Sequence, residues 1–256
     1  MDLNRFFLEF SYAGTAYHGW QSQPNVITVQ EVIEDALKIL LKETISLTAA
    51  GRTDTGVHAK IMFAHFEGII KKKNLSQLIF RLNQFLPKDI SIHNLHRVQP
   101  DAHARFDAIS RTYEYHISEI KSPFTLGQSY ILKQSLDLKA MNAAASILLE
   151  YEDFECFSKS NSDVKTFFCN ITHARWKKNG NKLVFTITAN RFLRNMVRAI
   201  VGTLIEIGLG KKNINQIHHI IKSKSRSLAG YSVPAKGLFL THIDYPDSIY
   251  IKHGKG

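Results

Sequence analysis

Residues 28–41 read TVQEVIEDALKILL, and their spacing dictates what the neighbouring chain must do. Val29, Val32, Ile33, Ala36, Leu37, Leu40 and Leu41 recur at i, i+3 and i+4, which gathers them into one apolar stripe of an α-helix. Thr28 and Glu31 stand where a capping box closes a first turn. A helix with one apolar face needs a sheet to cover. Upstream, residues 5–12 (RFFLEFSY) have the aromatic-rich character of a strand, and the connecting AGTAYHGWQSQP (13–24) is turn-rich and unusually aromatic for a loop.

Working outward, the pattern predicts further strands near 45–50, 61–66, 90–98, 112–118, 129–133, 182–189 and 238–243. Further helices are predicted near 75–86, 137–149, 192–209 and 213–222. The order lacks strict βα alternation. It therefore predicts an α+β fold, with helices on one side of a mostly antiparallel sheet, rather than a doubly wound parallel one. Two α+β halves are expected, 1–107 and 108–256, the second of them basic.

An apolar fraction of 44% with 21% charged residues excludes a disordered chain. The net charge of +11 points to a polyanionic partner, because Lys and Arg gain affinity from phosphates by releasing counterions. Between Ser158 and Gly230, 14 Lys and Arg face 2 Asp and Glu, so this block alone carries the excess. No apolar run reaches the roughly 18 residues of a membrane span. The opening MDLNRFFLEF lacks the features of a signal peptide, so a cytoplasmic location is expected. Cys156 and Cys169 form no CxxC pair and read as reduced core residues.

The stretch richest in chemistry is AGRTDTGVHA (50–59), in which Gly51 and Gly56 flank a polar Arg52–Thr53–Asp54–Thr55 segment. Glycines permit a tight loop there, and an Asp so placed serves as nucleophile, general base, metal ligand or turn former. By composition alone, turn former is the plainer reading. GxxxxGK is absent, as are HExxH and the zinc-deaminase pattern, so the 12 histidines suggest no metal site.

Two more stretches matter. RFLRNMVR (191–198) is read as opening a helix whose Leu193, Met196, Val197, Ile200, Val201 and Leu204 form a buried stripe, with Arg191, Arg194 and Arg198 on another face. Those arginines are either solvated, aimed at phosphates, or turned inward to keep a carboxylate ionised. HARFD (103–107) followed by RTYEY (111–115) interleaves basic and aromatic groups. Alternation puts Tyr113 and Tyr115 on one face, either as core or as a platform on which a base stacks.

Together GRTDTGVHA, HARFDA with RTYEY, FLRNMVRAIVG and the late PAKGLFL resemble, in that order, the motifs of the bacterial tRNA pseudouridine synthase A family, and the opening FSYAGTAYHGWQSQP with TVQEVIEDAL is similar to that family's N-terminal strand, loop and helix. The resemblance implies a pseudouridine synthase fold with two similar halves around a central basic cleft, and a homodimer. It implies action on uridines 38 to 40 of the tRNA anticodon stem-loop without cofactor or metal. Residue by residue, Asp54 matches the catalytic aspartate, Tyr113 the residue packed against the target base, and Arg198 the arginine that pairs with the aspartate. Arg52 matches the residue that fills the space left by the extruded base, and His103, Arg105 and Phe106 are similar to an RNA-contacting segment. Thr55 departs from the pattern, since alanine is commoner there. The rival readings are a non-catalytic RNA-binding protein, which makes no demand on Asp54, and a pseudouridine synthase with another RNA target.

Overall fold

Asn4–Tyr12 forms strand β1, which is bonded on both edges, and its aromatic run is buried on both faces: Phe6, Phe7, Leu8 and Phe10 are at most 1% exposed. The structure, a computed structural model, describes residues 3–70, 74–159 and 164–251. The chain divides into two compact units, one running to Ile109 and resuming at Leu240, the other spanning Ser110–Phe239. The sheet is mixed and mostly antiparallel, so the architecture is the α+β class that the sequence predicts.

In the first unit, helix α1 (Val29–Leu41) follows β1, with Thr28 accepting from the Glu31 amide as N-cap. Short strand β2 (Thr48–Ala49) and long strand β3 (His58–Gly68) pair antiparallel, and β3 pairs antiparallel with β1. Helix α2 (Leu75–Phe85) leads into β4 (Ile90–Arg97), which pairs with the other edge of β1. Asn83 clamps that strand, donating to the Ile92 carbonyl and accepting from the Ile92 amide. The strand predicted over 45–50 shrinks to two residues, because Leu47 donates its amide to the Glu34 carboxylate instead of a ladder.

The second unit carries β5 (Ser110–Ser118), β6 (Tyr130–Ile131), α3 (Leu138–Ile147), β7 (Ile171–Asn179), β8 (Lys182–Ala189), α4 (Met196–Gly208) and α5 (Gln216–Ser223). β8 lies antiparallel between β5 and β7, and β6 adds a short parallel pairing to β5. Strand β7 is absent from the sequence-predicted set. Its ITHARWKKN buries only Ile171, Ala174 and Trp176, and Asn142 on α3 engages the Trp176 amide and carbonyl at 2.8 and 3.2 Å. The last strand, β9 (Leu238–Asp244), lies next to β3 once it enters the first unit.

One sequence-based boundary is corrected. Helix α4 starts at Met196, not 192, because Asn195 takes a left-handed φ of 66° and donates its side-chain amide to Ser232 at 2.6 Å. Arg191 and Arg194 therefore precede the helix and share no helical face with Arg198. Eleven of the helix's thirteen residues are buried. Among the described residues no helix is long and apolar enough to cross a membrane.

Candidate active site

The first unit holds Asp54 on the loop between β2 and β3, half-buried, between exposed Arg52 and exposed Thr55. Contacts on both sides of Asp54 fix that loop. The Thr53 carbonyl accepts from the Trp20 amide at 3.3 Å, the Asp54 carbonyl accepts from the Val57 amide at 3.1 Å, and the buried Tyr12 and Thr53 hydroxyls bond at 2.8 Å. Gly56, at φ 79°, takes the left-handed position of the tight turn closed by the Asp54–Val57 bond. Gly51 has no such duty, since a Cβ there meets nothing within 4 Å.

Tight glycines lie elsewhere, in the aromatic loop after β1, where a Cβ on Gly14 would come within 2.0 Å of the Val57 carbonyl oxygen. Gly19 has φ 86°, and a Cβ on it would come within 2.4 Å of the Thr53 carbonyl oxygen. Tyr17 and Trp20 from this loop are buried, and the Tyr17 hydroxyl donates to Asp89 at 2.6 Å. Burial and that carboxylate push the Tyr17 phenol far above its usual range. The unusual aromatics thus serve to pack one loop beneath another. Arg52, further out, donates from Nε to the Gln21 amide oxygen at 3.1 Å.

The same unit carries His103, Arg105 and Phe106 on one short segment after β4. Phe106 is 75% exposed, with the Arg105 guanidinium 5.8 Å from its ring centre. His103 packs on Phe106 at 4.3 Å between ring centres and edge-on to His65 at 4.5 Å.

In the second unit, Arg198 sits in the first turn of α4, half-buried, and donates from Nε to the Val233 carbonyl at 2.7 Å. The segment around Val233 is pressed onto the helix. A Cβ on Gly202 would overlap the Tyr231 carbonyl oxygen at 1.8 Å, and the Gly230 amide donates to Thr203 at 2.7 Å. Arg226 ties the same segment at the Gly230 carbonyl and the Ser232 hydroxyl.

Strand β5 resolves the choice left between its two tyrosines. Tyr115 is fully buried and donates its hydroxyl to Pro234 at 2.8 Å, whereas Tyr113 is half-buried and meets Phe192 edge-on at 5.2 Å. Burial raises the Tyr115 phenol well beyond its ordinary range, so it is a donor at any working pH. Arg111 donates to the Asn190 carbonyl at 2.7 Å, fastening the start of the strand.

Sequence reasoning missed the supports. Tyr12, Gly19, His65, Asn195 and the 230–234 segment are distant in sequence from the residues they hold. Aromatics and glycines in a loop are the visible signal for Gly19, and nothing in the local pattern marks the rest. Cys156 and Cys169 are buried and unpaired by disulfide, and burial pushes their thiols up to about 12 and about 11. Among the described residues no three His, Cys, Asp or Glu side chains gather as a metal site.

The sequence profile described as tRNA pseudouridine synthase matches residues 10–107 and 144–246, and the chain belongs to that family. Among its relatives is tRNA pseudouridine synthase A of Bacteroides fragilis, 47% identical over 251 residues that cover 98% of this chain and 100% of that protein. The protein of the same name in Parabacteroides distasonis is 48% identical over 97% of this chain and 98% of its own length. That of Acetivibrio thermocellus is 40% identical over 93% and 98%.

Proposed function

We propose that this chain is an isomerase that converts uridines at positions 38, 39 and 40 of the tRNA anticodon stem-loop to pseudouridine. Asp54 is its catalytic carboxylate. Family membership supports the reaction class, and the observation that carries the assignment is the bracing of the loop around Asp54, at Thr53 by the Trp20 amide, at Asp54 by the Val57 amide and at Gly56 by the Tyr17 carbonyl, while the Asp54 side chain remains half-buried.

The reaction breaks the N1–C1′ glycosidic bond, turns the freed uracil, and joins C5 to C1′. The C5 hydrogen is lost to solvent and N1 gains a proton, so neither redox cofactor nor metal is called for. Asp54 acts either as nucleophile or as base toward the sugar. A target inside a stem-loop must first be extruded, at a few kcal/mol of lost stacking and pairing, and Tyr113 offsets part of that by packing on the base. Arg52 fills the vacated position, while His103, Arg105 and Phe106 contact the RNA. Desolvation under bound RNA disfavours an ionised Asp54, and the Arg198 guanidinium counters it. The molecule works as a cytoplasmic homodimer.

Tritium release from tRNA carrying C5-labelled uridine tests the reading. Wild-type protein releases tritium, and Asp54→Asn binds tRNA with similar affinity and releases none. Turnover by Asp54→Asn refutes the assignment. Binding without release by the wild type makes the chain a non-catalytic RNA-binding protein, and pseudouridine mapped away from positions 38 to 40 makes it a synthase of other specificity.

A further inference from the structure

We propose that His65 is a positioning residue for tRNA: as an acceptor for the Ala104 amide, it sets the conformation in which the 103–106 segment presents Arg105 and Phe106 to the RNA. The inference rests on the functional reading above for the segment's role.

Each backbone donor needs a partner when withdrawn from water. The His103 amide donates to the Asp107 carboxylate at 2.7 Å, and the Arg105 and Phe106 amides donate to His103 Nδ1 at 3.1 and 3.4 Å. The Asp107 amide donates to the His103 carbonyl at 3.0 Å. These partners lie within the segment. The Ala104 amide alone of the five reaches outside it, to His65 Nδ1 at 3.1 Å. The Ala104 carbonyl is met by the Tyr245 hydroxyl, so this fully buried residue is held on both sides of its Cα.

His65 is a firm anchor because it belongs to β3, where it pairs with Phe7 of β1 and Thr48 of β2. Its ring lies 6.3 Å from that of Phe7 and 4.5 Å, edge-on, from that of His103. Since Nδ1 accepts, the neutral ring carries its hydrogen on Nε2. The charged groups around it are His103, Arg5, Glu67 and Asp107. Burial, then His103 and Arg5, keep its pKa down to about 4, against the pull of the two carboxylates. The acceptor therefore persists at neutral pH.

The consequence is that an exposed cation-over-ring pair is carried on a segment whose shape is fixed before RNA arrives. Preorganisation of this kind lowers the ordering cost of binding, and so it acts on affinity rather than on the chemical step.

Three substitutions separate acceptor from bulk. Asparagine presents an amide oxygen near the Nδ1 position, glutamine one methylene further out, and phenylalanine keeps the ring without an acceptor. The measurements are Kd for tRNA by direct binding, and KM and kcat for pseudouridine formation. His65→Phe and His65→Gln raise Kd and KM roughly tenfold, the scale of one structural hydrogen bond, with kcat at saturating tRNA within about twofold. His65→Asn stays within about threefold of wild type in Kd and KM. If His65→Phe does not fold, the Asn and Gln pair still decides. Equal behaviour of Asn and Gln, unchanged Kd, or a loss confined to kcat overturns the proposal. A wild type that binds tRNA without making pseudouridine sinks the functional reading instead, and the His65 comparison is then still read from Kd.

Discussion

Arg198 and Tyr115 donate to consecutive carbonyls, the guanidinium Nε to Val233 at 2.7 Å and the buried phenol to Pro234 at 2.8 Å. One two-residue segment thus fixes both the arginine of α4 and the strand that carries Tyr113. Tyr115→Phe removes one of these anchors and leaves the Pro234 carbonyl without this donor. We expect a loss of about 1 kcal/mol or more, or roughly 2–4 °C in Tm per kcal/mol at this chain length, read by thermal melting. Turnover should fall as well, since the anchor is shared.

Arg198 itself is held by Nε, a donor that lysine lacks. Arg198→Lys keeps the charge and loses the fork and the Val233 bond. Expected is a fall in kcat of at least about tenfold, as for Arg198→Ala, with tRNA Kd within about twofold. Equal losses in kcat and Kd would reduce Arg198 to a phosphate contact.

The loop of Asp54 yields a matched pair of glycine tests. Gly19→Ala forces a side chain into a φ of 86° and against the Thr53 carbonyl, at a cost on the order of 2 kcal/mol or more. Gly51→Ala, one residue from Arg52 in the motif itself, should change stability by no more than about 0.5 kcal/mol, because nothing lies within 4 Å. Denaturant midpoints compare the two directly.

Tyr12→Phe tests the hydroxyl pair with Thr53 that lies next to Asp54. Removing one partner of a buried 2.8 Å bond should cost about 1 kcal/mol, and single-turnover kinetics should slow while tRNA Kd holds.

Stability should also respond to pH through His65. Its ordinary pKa is 6.5 and folding lowers it to about 4, mainly by burial, so between those values the unfolded chain binds more protons than the folded one. Stability contributed by the neutral ring is complete above about pH 6.5 and is lost as pH falls toward 4. Tm measured across that window should decline for wild type and decline less for His65→Asn, whose side chain does not titrate.

How much was legible beforehand divides along physical lines. The apolar stripe of Val29 to Leu41 and the aromatic run of β1 announce their elements because one buried helix face imposes a period of 3.6, while a strand buried on both faces leaves a short continuous apolar run. Asp54, Tyr113 and Arg198 are singled out by motif resemblance, since a single charged or aromatic side chain has no period to betray its role. Strand β7 escaped because its exposed positions are basic and its partners, β8 and Asn142, are remote in sequence. Helix α4 was read one turn too long, as nothing local reveals that Asn195 turns left-handed to reach Ser232.

The sequence by itself determined most of the elements, the α+β class and the basic character, all of them set by side-chain type and near-neighbour spacing. Only the tertiary structure decided which of Tyr113 and Tyr115 is core, that Gly19 rather than Gly51 lies against the Asp54 loop, and that His65, Tyr12 and Val233 bond to Ala104, Thr53 and Arg198. These are contacts between segments far apart in the chain, and their energies depend on approach distances that no local pattern encodes.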